Sequence, residues 1–221
     1  YRGLTPNEYL AMRHGEVHVP QKAVLITFDD GYEEIDRYAL PVLERFGFGC
    51  CVYIVTGELA GTNAWDEVDG SATHRLLDAE QIRQWQAKGV EFGGHSRRHP
   101  SLPTLDRSGI RSEVAGCAGD LGQVTGRAPR TFAYPYGDFD DRVVDEVRRV
   151  YDLTFTTIEG LNHPGTDPHL LRRTMVLPTD SGSDVGVRAR LGYHPRDVWL
   201  RWRARSMAPV RSLVRALFAR A

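Results

Sequence analysis

The 221 residues are enough for one sizeable α/β domain and would cramp two. An apolar share of 41% with 26% charged residues excludes a disordered chain, and no apolar run approaches the roughly eighteen residues of a spanning helix. A net charge of −1 excludes a general electrostatic attraction to nucleic acid.

In chain order, "AVLITF" (Ala23 to Phe28) predicts a strand buried on both faces. "EEIDRYALPVLERFG" then reads as a helix closed by Gly47. "CCVYIV" (Cys50 to Val55) is a second strand. Its adjacent cysteines point to opposite faces, so Cys50, Cys51 and Cys117 are expected as buried thiols rather than a disulfide framework. "AGTNAWDEVDGSAT" reads as a polar loop insertion. "DAEQIRQWQAKG" is a helix capped by Asp78 and stopped at Gly89. "VEFGG" (Val90 to Gly94) is a third strand, followed by a glycine-weakened helix over "DRSGIRSEVAGCAGDLGQVTG". "TFAYP" and "LTFTT" are further strands flanking the helix "DDRVVDEVRRV", and "TMVLP" (Thr174 to Pro178) is a candidate sixth strand.

This alternation predicts a mostly parallel sheet or barrel with functional loops at the C-terminal strand ends. Asp29, Asp30, His95 and Tyr136 all fall at such ends. His95 and His99 in "GGHSRRHP" are four residues apart, so on a helical turn both imidazoles reach one ion. An Asp from another strand end completes a two-histidine, one-carboxylate site with open positions.

Three segments together resemble the polysaccharide deacetylase family, also called the NodB-homology or carbohydrate esterase family 4. They are "TFDDG" (Thr27 to Gly31), "HSRRH" (His95 to His99) and "FAYPYG" (Phe132 to Gly137), and the resemblance runs from about Ala23 to Pro178. It implies a distorted (β/α) barrel of mostly parallel strands. It also implies one divalent ion, most simply Zn with Co, Ni or Mn as alternatives, held by Asp30, His95 and His99. Asp29 is then the general base toward an activated water, and the backbone N–H of Tyr136 is the oxyanion donor. Tyr134, Pro135 and Tyr136 form the substrate-binding turn. Ser96, by the chemistry of serine in turns, is expected to bond the local backbone. The implied substrate is an N-acetylated amino sugar in a polysaccharide or lipid-linked glycan. A cyclic-imide type amidohydrolase and a carbohydrate-binding pseudoenzyme are the alternatives.

Three departures from the family pattern stand out. The motif arginine that orients the base is Ala133 here; "LLRRTMVL" offers Arg172 or Arg173 as a replacement, Arg173 being preferred. The D-W motif is not recognisable. No L-x-H histidine is present, leaving His163, His169 and His194 as candidate acids. The expected catalytic domain is residues 1–195, whose first element can lie before Tyr1. Residues 196–221 read as a basic amphipathic helix: from Trp199 onward there are six arginines and no acid. This tail is a candidate membrane-surface contact and favours an envelope or membrane-adjacent setting.

Overall fold

A computed structural model describes residues 1–18, 20–69 and 72–199. They divide into two compact units: Tyr1–Ile158 with Asn162–Arg172, and Glu159–Leu161 with the chain from Arg173 onward.

The first unit is built on six strands, β1 (Arg2–Leu4), β2 (Ala23–Phe28), β3 (Cys50–Ile54), β4 (Glu91–Gly94), β5 (Thr131–Ala133) and β6 (Leu153–Phe155). All are parallel and lie in the sheet in sequence order, β1 to β6, as in a (β/α) barrel opened along one seam. Five helices connect or precede them: α1 (Pro6–Arg13), α2 (Leu40–Phe46, entered through a wider turn at Ile35–Ala39), α3 (Ala79–Ala87), α4 (Arg107–Thr125) and α5 (Asp141–Arg148). Helix ends follow the expected chemistry. Asp78 caps α3 by accepting the N–H groups of Glu80 and Gln81, and Gly47 closes α2 in the left-handed conformation.

The unbroken apolar runs of the strands are explained by burial on two faces. Cys51 and Tyr53 of β3, Ala133 of β5, and Leu153 and Phe155 of β6 share the inner face with Leu10 and Leu171. Their neighbours Cys50, Val52 and Ile54 face α2 and α3 through Leu40, Ile82 and Trp85, while Phe132 packs on Ile110, Val114, Val143 and Val147 of α4 and α5. Burying each such Val, Leu or Ile side chain contributes about 1.5–3 kcal/mol. All three cysteines are buried free thiols. Gly94 has no room for a side chain, since a Cβ there would stand 2.5 Å from the Tyr151 hydroxyl.

Two expectations are corrected. Thr174 to Pro178 is not a strand; its apolar Met175 and Val176 are exposed, and Leu171 instead makes a single parallel bridge to Phe155. The sixth strand is β1, whose three residues are too few to show a period. Among its described residues the second unit contains helix α6 (Gly182–Leu191). Its buried Arg188 is paired with Asp180 at 2.6 Å and Asp197 at 2.6 Å. Most of the expected basic helix 196–221 lies outside the described residues.

Candidate active site

Register sets the site. Gly94 pairs with Ile54 of β3 and with Phe132 of β5, so the next residue, His95, leaves the sheet between two strand ends. Its N–H donates to Ile54 O at 2.9 Å, and its Nδ1–H donates to Ala133 O at 2.7 Å. That second bond selects the tautomer whose Nε2 carries a lone pair, as a metal-ligating histidine requires. Asp30 arrives from the end of β2 through a tight turn in which Gly31 N–H donates to Asp29 O at 2.9 Å.

The three side chains converge. His95 Nε2 and Asp30 Oδ1 are 3.4 Å apart, His99 Nε2 and Asp30 Oδ1 3.3 Å, and the two Nε2 atoms 3.3 Å. Both histidines are buried and Asp30 is nearly so. Asp30 Oδ1 is buried with no hydrogen-bond partner among the described residues. Lone pairs facing one another at this range repel unless a cation lies between them. Ligands about 2.05 Å from a tetrahedral ion stand about 3.3 Å apart, so the triangle fits a small divalent ion without rearrangement.

Electrostatics agree with that use at His99 and Asp30. Burial, then the neighbouring His95, pushes His99 down to about 4, which keeps its imidazole neutral and able to ligate. Burial alone would raise Asp30, but the adjacent His95 and His99 hold it below the ordinary carboxylate value. His95 is held above its ordinary value: burial pulls it down, and the carboxylates of Asp30 and Asp29 more than offset this. Asp29 is therefore close enough for its charge to reach the whole cluster, while the three converging ligand atoms come from Asp30, His95 and His99.

The backbone here is strained. Among the described residues five non-glycine positions have positive φ, and Asp30 (68°), Ser96 (64°), His99 (58°) and Tyr136 (57°) are four of them. Each such conformation costs about 1–3 kcal/mol and persists only where its surroundings impose it. The two histidines thus converge through an irregular left-handed turn, not the helical turn their spacing suggests. Within it Ser96 Oγ accepts the N–H of His99 at 2.9 Å, the structural part expected of that serine.

His99 lies between two aromatic rings. Tyr136 meets it edge-on at 4.4 Å between centroids, and Trp65 lies against it at 4.8 Å, tilted by 30°. Tyr136 is half-exposed, so its ring is accessible to solvent beside His99.

The sequence profile described as "Polysaccharide deacetylase" matches residues 16–154. The chain belongs to the polysaccharide deacetylase family. It is 27% identical over 188 residues to YxkH of Bacillus subtilis (strain 168), itself named for a polysaccharide deacetylase, covering 85% of this chain and 63% of that one. It is 24% identical to the poly-β-1,6-N-acetyl-D-glucosamine N-deacetylase of Escherichia coli (strain K12), over 65% of this chain and 26% of that one. Its fold superposes on IcaB from Ammonifex degensii with a TM-score of 0.73 at 28% identity, covering 86% and 82% of the two chains. The chain thus spans less than two thirds of the length of the first two relatives.

In this family member, burial separates the three residues of the third motif. Tyr134 is buried against Phe132 and Phe139, with its hydroxyl donating to His169 O at 3.0 Å, and Pro135 is buried beside it. Only Tyr136 of the three turns outward, because its left-handed backbone reverses the chain there. Arg173 begins the longer of the two stretches that make up the second compact unit. Of the candidate acids, His194 Nε2 lies 3.1 Å from Asp184 Oδ1, and His169 is half-buried with its carbonyl engaged by Tyr134. Trp65 and the Ala133 carbonyl were missed. Trp65 sits in a polar insertion where one aromatic carries no periodic signal, and a carbonyl's role has no side-chain signature.

Proposed function

We propose that the protein is a divalent-metal-dependent N-deacetylase of N-acetylated amino-sugar glycans, with poly-N-acetylglucosamine as the first substrate to test. The observation that carries this reading is the 3.3–3.4 Å triangle of Asp30, His95 and His99 with the charge of Asp29 beside it. The substrate class follows the relatives in Escherichia coli and Staphylococcus aureus, which are named as poly-β-1,6-N-acetyl-D-glucosamine N-deacetylases. Two imidazoles and one carboxylate suit Zn, with Co, Ni or Mn able to substitute. Such an ion, when bound, supplies Lewis acidity and brings the pKa of a water down to about 7.

The chain's own groups do the rest. Asp29 accepts the proton of the attacking water as its oxygen bonds to the acetyl carbon, and returns that proton to the amine as the C–N bond breaks. Acetate and the free amino sugar result. The Tyr136 N–H donates to the developing oxyanion, a contact typically worth about 3 kcal/mol. The exposed ring of Tyr136 presents an apolar face to the sugar. Asp30 neutralises part of the ion's charge, which is why two carboxylates stand side by side.

The deciding experiment measures acetate release from poly-N-acetylglucosamine, chitin oligomers, peptidoglycan and lipid- or nucleotide-linked amino sugars, with and without a chelator. Release that stops with chelator and returns with Zn is expected. Chelator-resistant release, or none from any N-acetylated glycan, overturns the reading. Arg173 is proposed, on its place in the sequence, to orient Asp29. Arg172 is tied by its backbone, its N–H donating to Asn162 Oδ1 at 2.9 Å and its carbonyl accepting from Asn162 Nδ2 at 2.9 Å. Arg173→Ala should therefore lower kcat more than Arg172→Ala, and the reverse order would reassign the role.

A further inference from the structure

The turn carrying both histidines must be held from outside, because Ser96 and His99 occupy left-handed backbone within five residues. One side is held by the chain after β3. Thr56 N–H donates to Ser96 O at 3.2 Å and Gly57 N–H to Arg97 O at 2.8 Å. Glycine is required for that approach, since a Cβ at Gly57 would lie 2.5 Å from Arg97 O.

The other side is held by α4. A single oxygen of Glu113, Oε2, accepts the N–H of Arg97 at 2.8 Å and the N–H of Arg98 at 2.9 Å. Seven residues on, Asp120 takes the Arg97 guanidinium at 2.7 and 3.4 Å and the Thr56 hydroxyl at 3.1 Å, tying α4 to the same loop. Two consecutive N–H groups aimed at one carboxylate oxygen fix the direction of the chain between His95 and His99. That direction sets how closely the two Nε2 atoms approach.

We propose that Glu113 is a positioning residue for the metal centre, acting through the backbone of residues 97 and 98 to hold His95 and His99 at ligating distance. The inference rests on the reading of Asp30, His95 and His99 as that centre. It concerns a residue that touches no ligand atom and that nothing in the motifs singles out.

The test is a competition titration of Zn, and of Co(II) with its visible spectrum, against a chelator, on the full folded chain. Outer-shell changes typically cost 10–100-fold in metal affinity, so Glu113→Ala should raise the Kd by about that factor and alter the Co(II) bands. Glu113→Asp, one methylene too short to reach both N–H groups, should behave likewise and serves if the alanine variant does not fold. Glu113→Gln keeps an oxygen in place and should restore most of the affinity. A wild-type Kd in the folded Ala or Asp variant overturns the proposal, even if the apoprotein melts earlier, because that is what a merely structural brace would do. A Gln variant as weak as Ala overturns it too, by tracing the effect to charge. A wild-type chain that binds neither ion would instead sink the metal reading beneath it.

Discussion

Asp29→Asn should abolish most turnover while leaving the ion bound. Asparagine matches the shape of the carboxylate but has no basicity at neutral pH, so the proton of the attacking water has nowhere to go. General-base catalysis is typically worth 10²–10⁴-fold, and kcat should fall by about that much. Metal content at saturating Zn should not change, because the three converging ligand atoms belong to Asp30, His95 and His99. Acetate release and elemental analysis of the same preparation separate the two effects. Loss of metal in this variant would mean that the two aspartates have been assigned each other's roles.

His99→Ala should produce the opposite pattern, with the ion lost first and turnover lost as a consequence. The imidazole is buried, kept neutral by burial and His95, and wedged between Trp65 and Tyr136. On the proposed ligand set, its removal deletes one of three donors and also the ring against which both aromatics pack. The expected rise in Kd exceeds the 10–100-fold typical of an outer-shell change. Binding to the folded state raises stability by about 2.7 kcal/mol at a ligand concentration of 100 Kd. Added Zn should therefore raise the Tm of the wild-type chain and not of the variant. An equal Tm rise in both would remove His99 from the ligand set.

Much of this arrangement was legible beforehand. β2 matches its apolar run residue for residue, and the Asp78 cap lies where local chemistry places it. The placing of Asp29, Asp30, His95 and Tyr136 at strand ends needed only the alternation of elements. The expected helical turn at His95–His99 was wrong because spacing alone does not distinguish a helix from a left-handed turn held by contacts elsewhere. The inward packing of Tyr134 was illegible for a related reason: an aromatic at a strand end can face the core or the solvent, and its neighbours Phe132 and Phe139 decide which. Glu113 reads in the sequence as an ordinary charge on a helix surface; only the docking of α4 brings it under residues 97 and 98.

By itself the sequence determined the elements, their order and the residue types available to hold an ion, because periodicity, caps and strand-end motifs are local patterns. Tertiary structure alone decided the tautomer of His95 through Ala133 O, the stacking of Trp65 on His99, the inward turn of Tyr134 and the grip of Glu113 on the histidine turn. Those depend on strand register and helix docking, which join residues far apart in the chain and leave no mark in any short stretch of it.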